Sequence, residues 1–145
     1  MIAVGIVVLL VLVGGFLLIS GSKSKQKTSN SVTPTDTAIS SVDSSVKVNV
    51  EGTNQNREVN LSVSAIPAGT TTIDYELSYN TESQGLQGVI GTITLTGENT
   101  AEKKLTLGTC SSGTCVYHKV VGKIQLTLKF NGNYGQKLYE NEYEL

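Results

Sequence analysis

The stretch LGTCSSGTCVYH holds both cysteines of the chain and its single histidine. Three kinds of site use these residue types: a metal site, a reactive thiol pair and a structural disulfide. A structural zinc site takes four ligands, and Cys110, Cys115 and His118 supply only three. Redox-active pairs favour C-x-x-C spacing, whereas these cysteines follow a C-x-x-x-x-C pattern. We therefore expect a structural disulfide, with neither a metal site nor a reactive thiol.

The residues around the two cysteines predict a β-hairpin. The flanks KKLTLGTC and CVYHKVV are strand-like, and they enclose SSGT, a four-residue connection that contains Gly113. Opposed residues of an antiparallel pair have Cβ atoms about 4.5–5.5 Å apart, close to the roughly 3.5–4.5 Å of a disulfide. Cys110 and Cys115 are thus predicted to form a cross-strand disulfide. Because it closes so short a loop, the bond should pin the hairpin without being required for the fold.

The remaining titratable residues give no catalytic pattern. His118 lies an odd number of residues from Cys115 and so points to the other face of the strand, where a half-buried, hydrogen-bonded histidine is expected. Asp74 and Glu76, and likewise Glu140, Glu142 and Glu144, share the polar faces of strands, and no calcium-loop pattern is present. Neither a G-x-S-x-G nor an S-x-x-K constellation leads into a helix. We predict no catalytic residue, no metal ligand and no cofactor.

A second hairpin loop is the best candidate for a binding tip. The segment FNGNYGQ, residues 130–136, is rich in Gly and Asn between two strand-like stretches. Its possible ligand-binding residues are Asn131, Gly132, Asn133, Tyr134 and Gly135. A plain turn is the alternative.

The N-terminal residues predict a membrane helix. Residues 2–19 contain no charged and no polar side chain. As a helix they would extend about 27 Å, close to the roughly 30 Å hydrocarbon core of a bilayer. The run exceeds the usual core of a cleaved signal peptide, about 7–15 residues. Residues 1–19 are therefore interpreted as an uncleaved signal anchor.

A linker is predicted to follow the membrane helix. Residues 20–45 are rich in Ser and Thr and have few apolar side chains. Lys23, Lys25 and Lys27 would place the rest of the chain in the cytoplasm by the positive-inside rule. The stalk-like linker, the resemblance to a signal anchor and the paired cysteines favour an oxidising compartment instead. We expect a single-pass membrane protein with its C-terminal domain outside the cytoplasm.

Residues 46–145 are predicted to form an all-β domain. Apolar residues recur with period two, as in Val59, Leu61 and Val63, and Gly- and Pro-containing turns separate the runs. About seven or eight short strands without a helical pattern are typical of an antiparallel β-sandwich. The segments REVNLSVSAI, TIDYELSYN and GKIQLTLKFNG resemble strands of immunoglobulin-like and fibronectin type III-like domains. The resemblance concerns fold only, and it implies a module that binds, spaces or displays.

These features predict a non-enzymatic, membrane-anchored extracytoplasmic protein whose β-sandwich serves as a binding, adhesion or spacer module. Its expected partners are the lipid bilayer, through the N-terminal helix, and a protein or glycan ligand. A net charge of -1 without a basic patch argues against a nucleic-acid partner. The alternative is a filament subunit, which looks like a type IV pilin in layout, with N-terminal helices forming the filament core and the chain forming a homo-oligomer.

Overall fold

The computed structural model describes residues 39–145, which contain ten β-strands and no α-helix. The predicted all-β class is therefore confirmed for this part of the chain. The predicted membrane helix, residues 1–19, and the predicted linker up to residue 38 lie outside the described residues. In the described part, no helix has the length and apolar character needed to cross a membrane.

The strands form two larger sheets and one small hairpin. The five-stranded sheet has the order β1-β10-β9-β4-β5, the three-stranded sheet has the order β2-β3-β6, and β7 pairs with β8. All pairings are antiparallel except the one between β1 and β10, which is parallel. The bounds are β1 Ser40–Ser41, β2 Lys47–Thr53, β3 Glu58–Ser64, β4 Thr70–Thr81, β5 Gly85–Thr94, β6 Thr100–Thr106, β7 Gly108–Ser111, β8 Thr114–Tyr117, β9 Val120–Gly132 and β10 Gly135–Tyr143.

Side chains from both larger sheets form one hydrophobic core. The period-two pattern of the sequence places alternate residues of β3, β4 and β9 inward, as predicted. Ile73 on β4 lies opposite Phe130 on β9, and Leu77 lies opposite Leu126, so large apolar side chains meet across the two central strands. Each such side chain, when fully buried, contributes roughly 1.5–3 kcal/mol of transfer free energy. The core residues with no exposed surface are Val59, Leu61, Ile73, Leu77, Leu107, Ile124, Leu128 and Phe130.

The first strand lies within the stretch predicted as linker. Ser40 and Ser41 pair with Lys137 and Leu138 of β10, and the N–H of Val42 donates to the carbonyl of Leu138 over 2.8 Å. The Val42 side chain packs against the core. Ser40 and Ser41, near the end of the predicted linker, therefore belong to the five-stranded sheet, whereas residues 43–45 lie outside any strand. A strand of two serines has no period-two apolar pattern, so no local pattern indicates it.

The single strand predicted near residues 116–121 is divided in the structure. β8 ends at Tyr117, His118 and Lys119 lie outside any strand, and β9 begins at Val120. Gly122 adopts a left-handed φ of 74° near the start of β9. This break between β8 and β9 leaves His118 in a short connection, which forms part of one wall of a cleft.

Candidate functional site

The two cysteines occupy the cross-strand positions that the sequence predicts. Cys110 on β7 lies directly opposite Cys115 on β8, and their sulfur atoms are 2.10 Å apart, the separation of a disulfide. The connection is shorter than predicted, because Ser111 pairs with Thr114 and leaves a two-residue loop. Both loop residues, Ser112 and Gly113, have positive φ, as a type I′ hairpin turn requires.

The single histidine joins this hairpin to the core of the five-stranded sheet. The backbone N–H of His118 donates to the carbonyl of Leu107 over 2.8 Å. Its Nδ1 lies 3.1 Å from the hydroxyl of Tyr79, and the two groups share a hydrogen bond whose direction depends on the histidine tautomer. Burial raises the pKa of the Tyr79 phenol above its usual value. The predicted half-buried, hydrogen-bonded histidine is therefore confirmed, but His118 lies between β8 and β9 and not on the strand face that the sequence predicted.

A cleft of about 790 Å³ opens beside His118. One wall consists of Gln55, Asn56 and Arg57, which lie in the turn between β2 and β3. The facing wall is the segment that leads from β8 into β9, and its lining residues are Tyr117, His118, Lys119, Val120 and Gly122, with Leu145 at the margin. Residues far apart in the sequence thus converge on one concave surface, the usual shape of a ligand site.

The turn that forms the first wall has an unusual backbone. Asn54, Gln55 and Asn56 have φ values of 51°, 59° and 59°, three successive left-handed residues without a glycine. Each residue held in this region costs on the order of 1–3 kcal/mol, so the surroundings must maintain it. Gly52 is part of those surroundings, because a Cβ at that position would overlap the Asn56 side-chain oxygen. Backbone strain of this kind concentrates at functional sites, which makes the turn a candidate for ligand contact.

The electrostatics of the cleft leave one cation without a carboxylate partner. The Arg57 guanidinium lies 5.2 Å from the centroid of the Tyr117 ring, within range of a cation–π contact. None of the ion pairs among residues 39–145 includes Arg57. Lys119 instead pairs with Glu82 over 2.7 Å. The arrangement can present a guanidinium and an aromatic face together to a ligand.

Leu107 holds both walls of the cleft on the core. Its side chain has no exposed surface, its N–H donates to the carbonyl of Arg57 over 2.8 Å, and its carbonyl accepts the N–H of His118. The sequence assigned Leu107 to a strand but gave no sign of this role. The next residue, Gly108, allows β7 to approach β8 closely, since a Cβ there would overlap the carbonyl oxygen of Val116.

No family model, no curated protein and no solved structure matches this chain. Among residues 39–145, no three His, Cys, Asp or Glu side chains are placed to hold a metal ion.

The loop predicted as a possible binding tip uses its polar groups within the domain. Asn131 donates from Nδ2 to Thr72 Oγ1 over 3.1 Å and to Asp74 Oδ2 over 3.0 Å. The hydroxyl of Tyr134 lies 2.7 Å from that of Thr70, a hydrogen bond that joins this turn to β4. These contacts favour the alternative of a plain turn.

The two glycines of this loop occupy positions where the backbone disfavours a residue with a side chain. Gly135 has a φ of 91°, and a Cβ on Gly132 would overlap the carbonyl oxygen of Gly69. Asn133 is exposed at the tip. The loop is therefore built for a tight connection between β9 and β10.

The acidic side chains singled out in the sequence lie on polar faces. Hydrogen bonds from Thr92 and then Asn131 hold the pKa of Asp74 below its usual value. Glu140 and Glu142 are exposed on β10, and Glu142 accepts a hydrogen bond from Lys123 over 3.3 Å. The predicted position on polar strand faces is confirmed for Asp74, Glu76, Glu140 and Glu142, whereas Glu144 is exposed but lies beyond the end of β10.

Replacing both Cys110 and Cys115 with Ser should lower the free energy of unfolding by about 2 kcal/mol, because the disulfide closes only a short loop. Cys110 is exposed, Cys115 is half-buried and neither belongs to the hydrophobic core, so the double variant is expected to stay folded. Urea denaturation followed by circular dichroism measures the change. Loss of the β-sheet spectrum in the variant, or free alkylation of both thiols in the native protein, would contradict this role for the bond.

Proposed function

We propose that this chain is a non-enzymatic, membrane-anchored extracytoplasmic protein whose β domain binds a ligand in the cleft beside His118. The sequence supports the anchor through the apolar run of residues 2–19. The paired cysteines support an oxidising compartment, in which disulfides persist. We further propose that the two larger sheets form an immunoglobulin-like or fibronectin type III-like sandwich, which is supported by their antiparallel strands and shared core.

The observation that carries the binding role is the convergence of two separate chain segments on the cleft. The strained turn presents the side-chain amides of Gln55 and Asn56 beside Arg57, and the facing wall presents the Tyr117 ring. Amides offer both donors and acceptors, the guanidinium offers a planar set of donors, and an aromatic ring offers an apolar face. A carbohydrate presents the complementary groups, namely hydroxyls and an apolar ring face.

The charge of the cleft narrows the class of carbohydrate. Arg57 is the only arginine of the chain, and it has no carboxylate partner among the described residues. A guanidinium binds a carboxylate through paired, charge-assisted hydrogen bonds. The proposed ligand is therefore a glycan that carries carboxylate-bearing sugars.

Binding can be tested with immobilised oligosaccharides that contain uronic acids, compared with the same oligosaccharides after reduction of their carboxylates. The full chain in detergent should bind the acidic set and lose most of its affinity for the reduced set. Arg57→Ala should weaken binding to the acidic set about tenfold or more, since a charged hydrogen bond contributes roughly 1.5–3 kcal/mol.

The chain offers a matched control for Arg57. Lys137 lies 5.2 Å from the centroid of the Tyr134 ring, the same separation as in the Arg57 and Tyr117 pair, but at the other end of the β9–β10 hairpin. Lys137→Ala should leave glycan affinity unchanged. Equal binding by the Arg57 and Lys137 variants, or equal binding of acidic and reduced oligosaccharides, would refute this ligand class.

The proposed topology has a separate test. In intact cells that express the chain, external protease should degrade the β domain while a cytoplasmic marker survives. Protection of the domain until the membrane is opened would place it on the cytoplasmic side and refute the proposed localisation.

A further inference from the structure

β5 leaves one edge of the five-stranded sheet open in the described part of the chain. The strand runs over ten residues, Gly85–Thr94, and its only neighbour in the sheet is β4. Leu86 and Ile90 are 69% and 77% exposed, the two highest values among the large apolar residues of the domain. A long apolar edge presents unpaired backbone groups that can pair with another strand.

Charge distinguishes β5 from the other long edge strands. Lys or Glu side chains occur in each of the others, and such charges discourage pairing between identical edges. They are Lys47 and Glu51 in β2 and Glu102, Lys103 and Lys104 in β6. β10, whose outer side β1 covers only at Lys137 and Leu138, carries Glu140 and Glu142 along its uncovered part. In contrast, the whole segment from residue 83 to residue 97 contains no charged side chain. A copy of β5 can therefore lie against β5 without placing like charges opposite each other.

The hydrogen bonds between β4 and β5 determine which backbone groups face the open edge. The N–H of Leu95 donates to the carbonyl of Thr71 over 2.9 Å. From there the pairing of β5 with β4 continues without a register shift, from Thr94 opposite Thr72 to Gly85 opposite Thr81. In an antiparallel ladder, alternate residues bond to the same neighbour. Odd-numbered residues of β5 therefore bond to β4. The even-numbered residues, including Leu86, Gly88 and Ile90, direct their N–H and carbonyl groups to the open edge.

We propose that β5 pairs antiparallel with β5 of a second copy of this chain, about a two-fold axis at Gly88. Leu86 of each copy then lies opposite Ile90 of the other, so the two most exposed apolar side chains of each domain shield one another. Each of these pairs exchanges two backbone hydrogen bonds. The two five-stranded sheets become one continuous sheet.

Two double variants test both the partner and the register. In Leu86→Glu with Ile90→Lys, each position carries a charge opposite to that of its cross-copy neighbour. In Leu86→Lys with Ile90→Lys, all four facing positions are positive. Both variants carry Lys at position 90, opposite Glu76 of β4, so they differ only at exposed position 86. Circular dichroism checks that both are folded.

Sedimentation velocity of the full chain in detergent measures association. The native chain and the oppositely charged variant should dimerise with dissociation constants within about tenfold of each other, and the all-positive variant should associate at least about tenfold more weakly. Hydrogen exchange should show amide protection at positions 86, 88 and 90 that rises with protein concentration. We expect this rise in the native chain and in the oppositely charged variant, but not in the all-positive variant.

Three results would overturn the proposal. The native chain could be monomeric. This result is also the one expected if the β5 edge pairs with a strand of a different protein. The two double variants could dimerise equally, as expected if other parts of the chain drive association. Dimers could also form without protection of the three amides, which would place the interface elsewhere.

Discussion

Replacing Phe130 with Ala is expected to lower the free energy of unfolding by about 3–5 kcal/mol. Phe130 has no exposed surface and lies on β9, between β4 and β10. It lies opposite Ile73 across one strand pair, and both residues belong to the hydrophobic core, so loss of the ring would leave a cavity there. Because a domain of this kind is stable by only about 5–15 kcal/mol, the loss would be a large share of the total. Urea denaturation monitored by circular dichroism measures it.

Gln125→Ala is the matched control for this substitution. Gln125 lies on the same strand but on its exposed face, so its truncation removes no core contact. Its effect should be within about 0.5 kcal/mol. If the two substitutions lowered stability equally, β9 would not be the central strand of a packed core.

Leu107→Ala is expected to lower the free energy of unfolding by about 2–5 kcal/mol. The side chain is fully buried at the junction of β6 and β7, where its backbone also bonds to Arg57 and His118. The cavity would loosen the attachment of the disulfide hairpin to the core. We therefore expect a local effect in addition to the global one, seen as faster hydrogen exchange of the His118 amide than of the amides in β9.

Val116→Ala provides the comparison, because Val116 lies on the same hairpin with its side chain exposed. This variant should keep the native stability within about 0.5 kcal/mol and the native exchange rate at His118. Equal exchange at His118 in the two variants would mean that Leu107 does not attach the hairpin.

The strands of the core could be predicted from the sequence because they follow a local rule. Residues such as Ile73, Leu77, Leu126 and Phe130 alternate with polar neighbours, and a strand turns alternate side chains to the same face. The disulfide could be predicted for a related reason, since Cys110 and Cys115 oppose each other in a hairpin with either a two-residue or a four-residue loop. The two-residue β1 could not be predicted, because Ser40 and Ser41 pair with β10 through backbone groups alone.

The cleft could not be predicted because its walls come from distant parts of the chain. Arg57 follows β2, Tyr117 ends β8, and only the docking of both segments on Leu107 brings them together. The open edge at β5 has the same origin. Whether a strand such as β5 lies inside a sheet or at its border depends on pairing with the rest of the chain.

The amino-acid sequence by itself determined the all-β class, the inward faces of the central strands and the cross-strand cysteine pair, because each depends on neighbours within about ten residues. The tertiary structure alone decided that His118 bonds to Tyr79, that Arg57 meets Tyr117 and that β5 borders the sheet. These features join residues far apart in the chain, and their positions are fixed only when burial of the shared core selects one arrangement of the sheets.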